Sequence, residues 1–216
     1  MKEGEQLKVV LMDGIEALCE VDSVTKNEVT LKIISTTENT SEPPFKITLY
    51  QSVSKGERME MTIQKCVELG VTKIVPVFST RCVVRPDEPK KQKDKTERWQ
   101  KIALEAARQS GRGIIPEVTE PLAYAQALET AKSADIVLFP WEEEQAVTLK
   151  QELAPLDKEA LGEIAVFIGP EGGYDEAEAE LARQNGAKPV TLGGRILRTE
   201  TAGAAVLAMI LYNFEL

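Results

Sequence analysis

The stretch Glu163-Ile164-Ala165-Val166-Phe167-Ile168-Gly169-Pro170-Glu171-Gly172-Gly173-Tyr174-Asp175 joins an uninterrupted apolar run to a glycine-rich loop and then to a helix start. A run without polar alternation is what a strand buried on both faces of a parallel sheet requires. Glycines remove Cβ atoms where backbone must approach a ligand or take positive φ. Pro170 stiffens the turn, and Asp175 is predicted to cap the next helix, with Glu178 placed for a capping box. Taken alone, the loop is open to two readings, a ligand cradle and a plain tight turn. It is not a dinucleotide fingerprint, because the G-x-G-x-x-G spacing is missing. Glu171 would sit poorly beside a pyrophosphate, whereas a cationic ligand such as a sulfonium would tolerate it.

Working outward, strands are predicted at 46–53, 73–78, 135–139, 163–168 and 189–192. Helices are predicted at 58–69 and 97–110, stopped by Gly70 and Gly111, and at 122–131, 175–184 and 200–213. Strands alternating with helices of this length imply an α/β fold, a mostly parallel sheet covered on both faces. Open sheets of that kind bind ligands beyond the C-terminal ends of their strands. Two further loops stand at that edge: Leu138-Phe139-Pro140-Trp141-Glu142 and Leu192-Gly193-Gly194-Arg195-Ile196-Leu197-Arg198. The second enters a helix through Thr199-Glu200-Thr201, with Thr199 as N-cap and Glu200 favoured in the first turn. The small residues Ala202-Gly203-Ala204-Ala205 suit a helix threaded close to other backbone, although alanine is also simply good helix sequence.

The first 35 residues alternate with period two. Turns at Met12-Asp13-Gly14 and Lys26-Asn27 complete the pattern of a small antiparallel unit. The polar stretch 36–44, ending in Pro43-Pro44, is the best linker candidate, so the domain boundary is placed between 1–44 and 45–216.

Composition narrows the chemistry. The 216 residues are 43% hydrophobic and 28% charged, an ordinary globular balance. No apolar run reaches the ~18 residues of a membrane span, and a charged start replaces any signal peptide. The three cysteines Cys19, Cys66 and Cys82 form no C-x-x-C pair, so neither zinc nor a disulfide framework is indicated, and a cytoplasmic location is expected. With no histidine in the chain, imidazole-based triads are excluded. The net charge of −9 argues against indiscriminate coating of nucleic acid. It leaves room for local basic stretches: Lys90, Lys91, Lys93, Lys95 and Arg98, which read most simply as a solvated loop, and Arg81, Arg85, Arg108 and Arg112 nearby.

Five segments taken in order resemble the RsmE family of small-subunit (16S) rRNA uridine-N3 methyltransferases, in the SPOUT superfamily. They are Lys55-Gly56-Glu57-Arg58-Met59-Glu60 with Ile63 to Gly70, then Ser79-Thr80-Arg81-Cys82-Val83-Val84, then Arg98-Trp99 with Ala103 to Arg112, Ile168 to Gly173, and Leu192 to Ala202. The resemblance implies a SPOUT-type sheet with a C-terminal deep trefoil knot, S-adenosyl-L-methionine as cofactor, a homodimer, and small-subunit ribosomal RNA as partner. It also implies that the N-terminal β unit is a PUA-like, barrel-type RNA-binding module. Family members begin some tens of residues earlier, so this chain is expected to carry a truncated form of it. Arg108 stands where the family usually has an acidic residue.

The resemblance further implies a cofactor site formed by Leu138, Phe139, Pro140, Gly169, Pro170, Glu171, Gly172, Leu192, Gly193, Ile196, Leu197, Thr201 and Ala202. RNA contacts carry over to Arg81, Gln109 and Arg112. If uridine N3 is the acceptor, its proton must leave, and without histidine the candidates are Glu200, Glu171 or a water relayed by one of them. Arg198 or Arg195 would stabilise charge on the uracil oxygens, so the catalytic pair is taken as Arg198 and Glu200. Each has a bland alternative, the helix dipole for Glu200 and phosphate binding for the arginines. A non-catalytic RNA-binding protein on the same fold is the competing reading. A nicotinamide-dependent oxidoreductase fits less well, since its glycine-rich turn would follow the first strand.

Overall fold

A computed structural model of the chain describes residues 1–11, 15–83 and 88–214. The turn Met12-Asp13-Gly14, Val84 of the second family-like segment, and Arg85 of the nearby arginines lie outside the described residues. Three strands form the first sheet: β1 (Gln6–Val10), β2 (Ile15–Val24) and β3 (Val29–Glu38). They pair antiparallel in the order β1-β2-β3. The Lys26-Asn27 turn is closed by the Thr25 N–H donating to the Glu28 carbonyl at 2.8 Å.

The second sheet has seven parallel strands. In chain order these are β4 (Lys46–Ser52), β5 (Lys73–Phe78), β6 (Glu117–Val118), β7 (Leu122–Ala123), β8 (Ile136–Pro140), β9 (Glu163–Ile168) and β10 (Lys188–Val190). In space they run β10-β8-β9-β4-β5-β6, with β7 on the same edge of β5. The interspersed helices are α1 (Glu57–Glu68), α2 (Pro89–Ser110), α3 (Tyr124–Ala131), α4 (Leu149–Leu153), α5 (Glu176–Gln184) and α6 (Thr199–Phe214).

Strand periodicity sorts the core. Ile164, Val166 and Ile168 of β9 face one layer, built with Met59 and Ile63 of α1, Trp99 and Ala103 of α2, and Val206, Leu207 and Ile210 of α6. Ala165 and Phe167 face the other, against Tyr124 and Leu128 of α3 and Ala179 and Ala182 of α5. Both faces are covered, which is why the run is apolar throughout. On α1 the buried residues Met59, Thr62, Ile63, Cys66 and Val67 follow helical spacing. Gly203 of α6 meets that face so closely that a Cβ there would stand 3.3 Å from Cys66 Sγ. Burial pushes the Cys66 thiol up to about 12, so it is a packing residue and not a nucleophile.

Three expectations change. The lysine run is not a loop: α2 begins at Pro89, eight residues before the expected start, and Lys90 to Lys95 form its first turns. Lysine and glutamine are good helix formers, and the exposed Lys90, Lys91 and Lys93 remain solvated within the helix. Leu122 and Ala123 pair with Val77 and Phe78 instead of opening a helix. The short α4 and the two-residue β6 carry too little periodicity to be read. The stretch 36–44 is also no free linker. Asn39 Nδ2 donates to the Gly111 carbonyl at 3.4 Å, and Glu42 Oε1 accepts the Ile114 N–H at 3.0 Å. These bonds pin the segment to the end of α2.

Candidate active site

A cleft of about 950 Å³ opens beyond the C-terminal ends of β8, β9 and β10. Parallel strands bring those ends to one edge, so three loops far apart in sequence become its walls. One wall is Pro140 to Glu142, the second is Gly169 to Tyr174, and the third is Leu192 to Arg198, with Thr199, Glu200 and Ala202 of α6 below.

The middle loop is held from several sides. Asp175 Oδ1 accepts the Glu178 N–H at 2.8 Å and Glu178 Oε2 accepts the Asp175 N–H at 3.2 Å, the predicted capping box. The other oxygen of Glu178 accepts the Thr80 N–H at 2.7 Å, and Arg81 donates to the Gly172 carbonyl at 2.8 Å. The segment after β5 is thus locked to the middle loop. Thr199 is not the N-cap: it lies in the first turn of α6, and its hydroxyl donates to the Gly169 carbonyl at 2.6 Å while accepting from Gln51 Nε2 at 2.9 Å. The Arg198 carbonyl instead accepts the N–H groups of Thr201 and Ala202 at 2.8 Å.

Arg58, from the start of α1, also reaches the cleft. It donates to Glu171 Oε1 at 2.7 Å, and its Nε stands 3.9 Å from Glu200 Oε1. Glu171 further accepts the Lys55 N–H at 3.1 Å. Burial pushes the Glu171 carboxyl up, but the Lys55 N–H, its own N–H and Arg58 together hold it below the usual carboxylate range. Glu144 is likewise lowered, chiefly by the Val147 and Ala146 N–H groups that it accepts. Glu142 lies against Gly173, its Oε1 where a Cβ on that glycine would stand, and its carboxylate makes no ion pair or hydrogen bond among the described residues.

Of the expected site residues, Pro140, Gly169, Pro170, Glu171, Gly172, Leu192, Gly193, Ile196, Leu197 and Ala202 line the cleft, as do Arg195, Arg198 and Glu200. Leu138 and Phe139 do not present side chains there, since they are buried in opposite layers of the core. Thr201 is exposed on α6 and is absent from the lining. Gln109 is exposed near the end of α2. Arg112 is not placed for RNA. Its guanidinium is buried, ion-paired with Glu42 and donating to the Val67 carbonyl at 3.2 Å. Sequence reading passed over Arg58, Trp141 and Gln145 as lining residues. For Arg58 the signal was available: the loop after the strand at 46–53 reaches the same sheet edge.

The residues fit S-adenosylmethionine. Gly193 (φ 103°) and Gly194 have nothing within 4 Å of where a Cβ would stand, which leaves an open backbone cradle. Leu192, Ile196 and Leu197 supply apolar wall, and Glu142 offers an uncommitted carboxylate to a cation. The volume falls within the usual ~300–1,000 Å³ of small-molecule sites.

A parallel sheet with such a cleft at its strand ends defines a small-molecule-binding α/β protein, and the family model for an RNA methyltransferase domain matches residues 41–211. The chain is 37% identical over 220 residues to "Ribosomal RNA small subunit methyltransferase E" of Bacillus subtilis, covering 100% of this chain and 85% of that one. It is 33% identical to the protein of that name in Aquifex aeolicus, over 95% of this chain and 84% of the relative. Among solved structures, the methyltransferase E of Neisseria gonorrhoeae bound to S-adenosyl methionine superposes with a TM-score of 0.85 at 35% identity, covering 98% of this chain and 84% of that one. The chain belongs to the ribosomal RNA small subunit methyltransferase E family.

Proposed function

We propose that this protein transfers a methyl group from S-adenosylmethionine to N3 of a uridine in small-subunit ribosomal RNA. The observation that carries the reading is the cleft at the ends of β8, β9 and β10, walled by glycine backbone and apolar side chains and holding an unpaired carboxylate. The methyl donor of the Neisseria relative has the features those walls would recognise. Bound there, the cofactor supplies an electrophilic methyl group on a sulfonium sulfur.

The chain's own residues supply position and charge. Backbone groups at Gly169, Gly172, Leu192 and Leu197, and at the end of β8 near Leu138, would read the adenine, with Ile196 against its face. N3 lies on the pairing edge of uracil, so the target base must be unpaired when it enters. Arg198 and Arg195, exposed at the rim, would stabilise negative charge on the uracil oxygens. Glu200 would accept the N3 proton. Holding base and sulfonium in line is worth much of the acceleration, since effective molarities for such alignment reach ~10⁵ M or more. Arg81, fastened to the middle loop, and Gln109 are the RNA-facing candidates.

The wider organisation follows the same reading. The sheet β1-β2-β3 would be a PUA-like RNA-binding module over 1–44, and 45–216 the catalytic domain, with the match to 41–211 in support. A trefoil knot at the C-terminus is supported by β9 inserting between β8 and β4 before α6 returns to pack on α1. A homodimer is supported by apolar side chains left exposed, Ile196 at the cleft at 88% and Tyr212 in the last turn of α6 at 74%. No described helix is long and apolar enough to cross a membrane, consistent with work on ribosomal RNA in the cytoplasm.

The test is methyl transfer from labelled cofactor to small-subunit RNA, with the product nucleoside identified by mass spectrometry. N3-methyluridine from wild type and none from Gly169→Trp is the expected result. Cofactor binding without transfer would favour an RNA-binding protein that has kept the fold.

A further inference from the structure

We propose that Arg58 is a positioning residue that commits Glu171 to an ion pair and leaves Glu200 as the carboxylate that takes the uridine proton. This rests on the methyltransferase reading and assigns roles that the sequence leaves open between two acids. Glu171 comes from the loop after β9, Glu200 from the first turn of α6 and Arg58 from the first turn of α1, so the division of labour is a property of the assembled edge.

The commitments of the two carboxylates are unequal. Glu171 Oε1 takes both the Arg58 guanidinium, at 2.7 Å, and the Lys55 N–H, at 3.1 Å. Protonating that oxygen would break a charge-assisted pair and a backbone bond together. The Glu171 carboxyl is accordingly held below its ordinary range, which makes it a poor base. Glu200 is placed differently. Its side chain retains 14% exposure at the cleft, and Arg58 Nε lies 3.9 Å from Oε1, beyond hydrogen-bond reach. Its other oxygen, Oε2, is buried and accepts no hydrogen bond among the described residues. A buried acceptor without a donor is costly, and a donor entering the cleft, such as the N3–H of uracil, relieves that cost. Glu200 stands in the first turn of α6, at the helix end that favours an anion.

The step balances. The N3–C bond forms as the sulfur–methyl bond breaks, the bonding pair stays on sulfur to give a neutral thioether, and the N3 proton passes to Glu200. One cation and one carboxylate are consumed together, so the net charge of the cleft does not change. The charged groups that line the cleft with Glu200 are Arg58 from α1, Glu142 and Glu144 from the segment after β8, Glu171 from the middle loop, and Arg195 and Arg198 from the loop before α6. The neighbouring Thr199 is neutral and accepts from Gln51 Nε2 at 2.9 Å.

The experiment compares wild type, Glu200→Gln, Glu171→Gln, Arg58→Met and Arg58→Lys. It records kcat against pH on small-subunit RNA, cofactor affinity by calorimetry, and thermal melting as a control for folding. Glu200→Gln should lower kcat by roughly 10² or more, the usual worth of a positioned base, with cofactor affinity little changed. Glu171→Gln should leave the acid limb of the profile in place, whatever it does to cofactor affinity. Arg58→Met should move that limb to higher pH, since losing the guanidinium raises the proton affinity of the acceptor, and Arg58→Lys should move it partly back. An active wild type in which Glu171→Gln, and not Glu200→Gln, abolishes the limb would overturn the assignment, as would a limb unmoved in Arg58→Met. A wild type that binds cofactor and transfers nothing overturns the functional reading, and this assignment with it.

Discussion

Arg112 carries its charge into a site where 2% of its side chain stays exposed, and each guanidinium nitrogen finds an acceptor there, on Glu42, Val67 or Val71. The sequence shows an arginine among arginines after a glycine stop, which looks like a phosphate contact. It cannot show that Glu42, 70 positions earlier, folds back to meet it. Arg58 is the converse case, an ordinary helix-start residue whose reach to Glu171 spans 113 positions. Residue type states what a group can do, and only burial states which of its options is taken. Replacing Arg112 with Met should therefore destabilise the fold, by about 2–4 kcal/mol, because Glu42 is left partly buried without its partner. The salt dependence of RNA binding should not change, since no phosphate contact is lost. Urea unfolding gives the first quantity and a salt titration of binding the second. A shallower salt slope in Arg112→Met would return this residue to the RNA surface.

Elements were legible where periodicity was long. The strands at β4, β5, β8 and β9 and the helices α1, α5 and α6 fall within a residue or two of their expected bounds, because buried runs and capped amphipathic helices leave unambiguous patterns. The first turns of α2 were not, since a lysine-rich helix face and a lysine-rich loop have the same composition. Nor were the bonds between elements. Asp135, just before β8, accepts the N–H groups of Gly162 and Glu163 at 2.8 Å and so fixes β8 against β9, two of the three strands that build the cleft. The Glu163 N–H first, then that of Gly162, hold its carboxyl below the usual value of 3.8. A carboxyl lowered in the folded state contributes stability above its unfolded value, and that contribution is lost as pH falls through the lowered one. The difference in melting temperature between wild type and Asp135→Asn should accordingly be fully present at neutral pH and shrink below about pH 4. A difference that is constant down to pH 2 would mean that the carboxylate charge contributes nothing.

At the scale of the whole molecule, ligand binding and folding are linked through α6. This helix starts in the cleft at Thr199 and ends with Phe214 in the core, its ring edge-on to Phe45 beside β4, the centroids 5.3 Å apart. A cofactor gripped by the loop before α6 stabilises a helix packed with α1 and α2 on one face of the sheet, so its effect should appear in global unfolding and not only in loop order. Both tryptophans of the chain, Trp99 and Trp141, are buried in the seven-stranded body, and the sheet β1-β2-β3 has none. Intrinsic fluorescence therefore reports the body alone. S-adenosylmethionine at 100 times its Kd contributes about 2.7 kcal/mol to the bound state. For a chain of this size that should raise the fluorescence-detected melting midpoint by about 5–10 °C, while NAD at the same concentration should leave it in place. A midpoint that rises only when small-subunit RNA is added would show that the three loops need the substrate to close around the cofactor. A midpoint that rises with NAD and not with the methyl donor would remove the cofactor from this cleft.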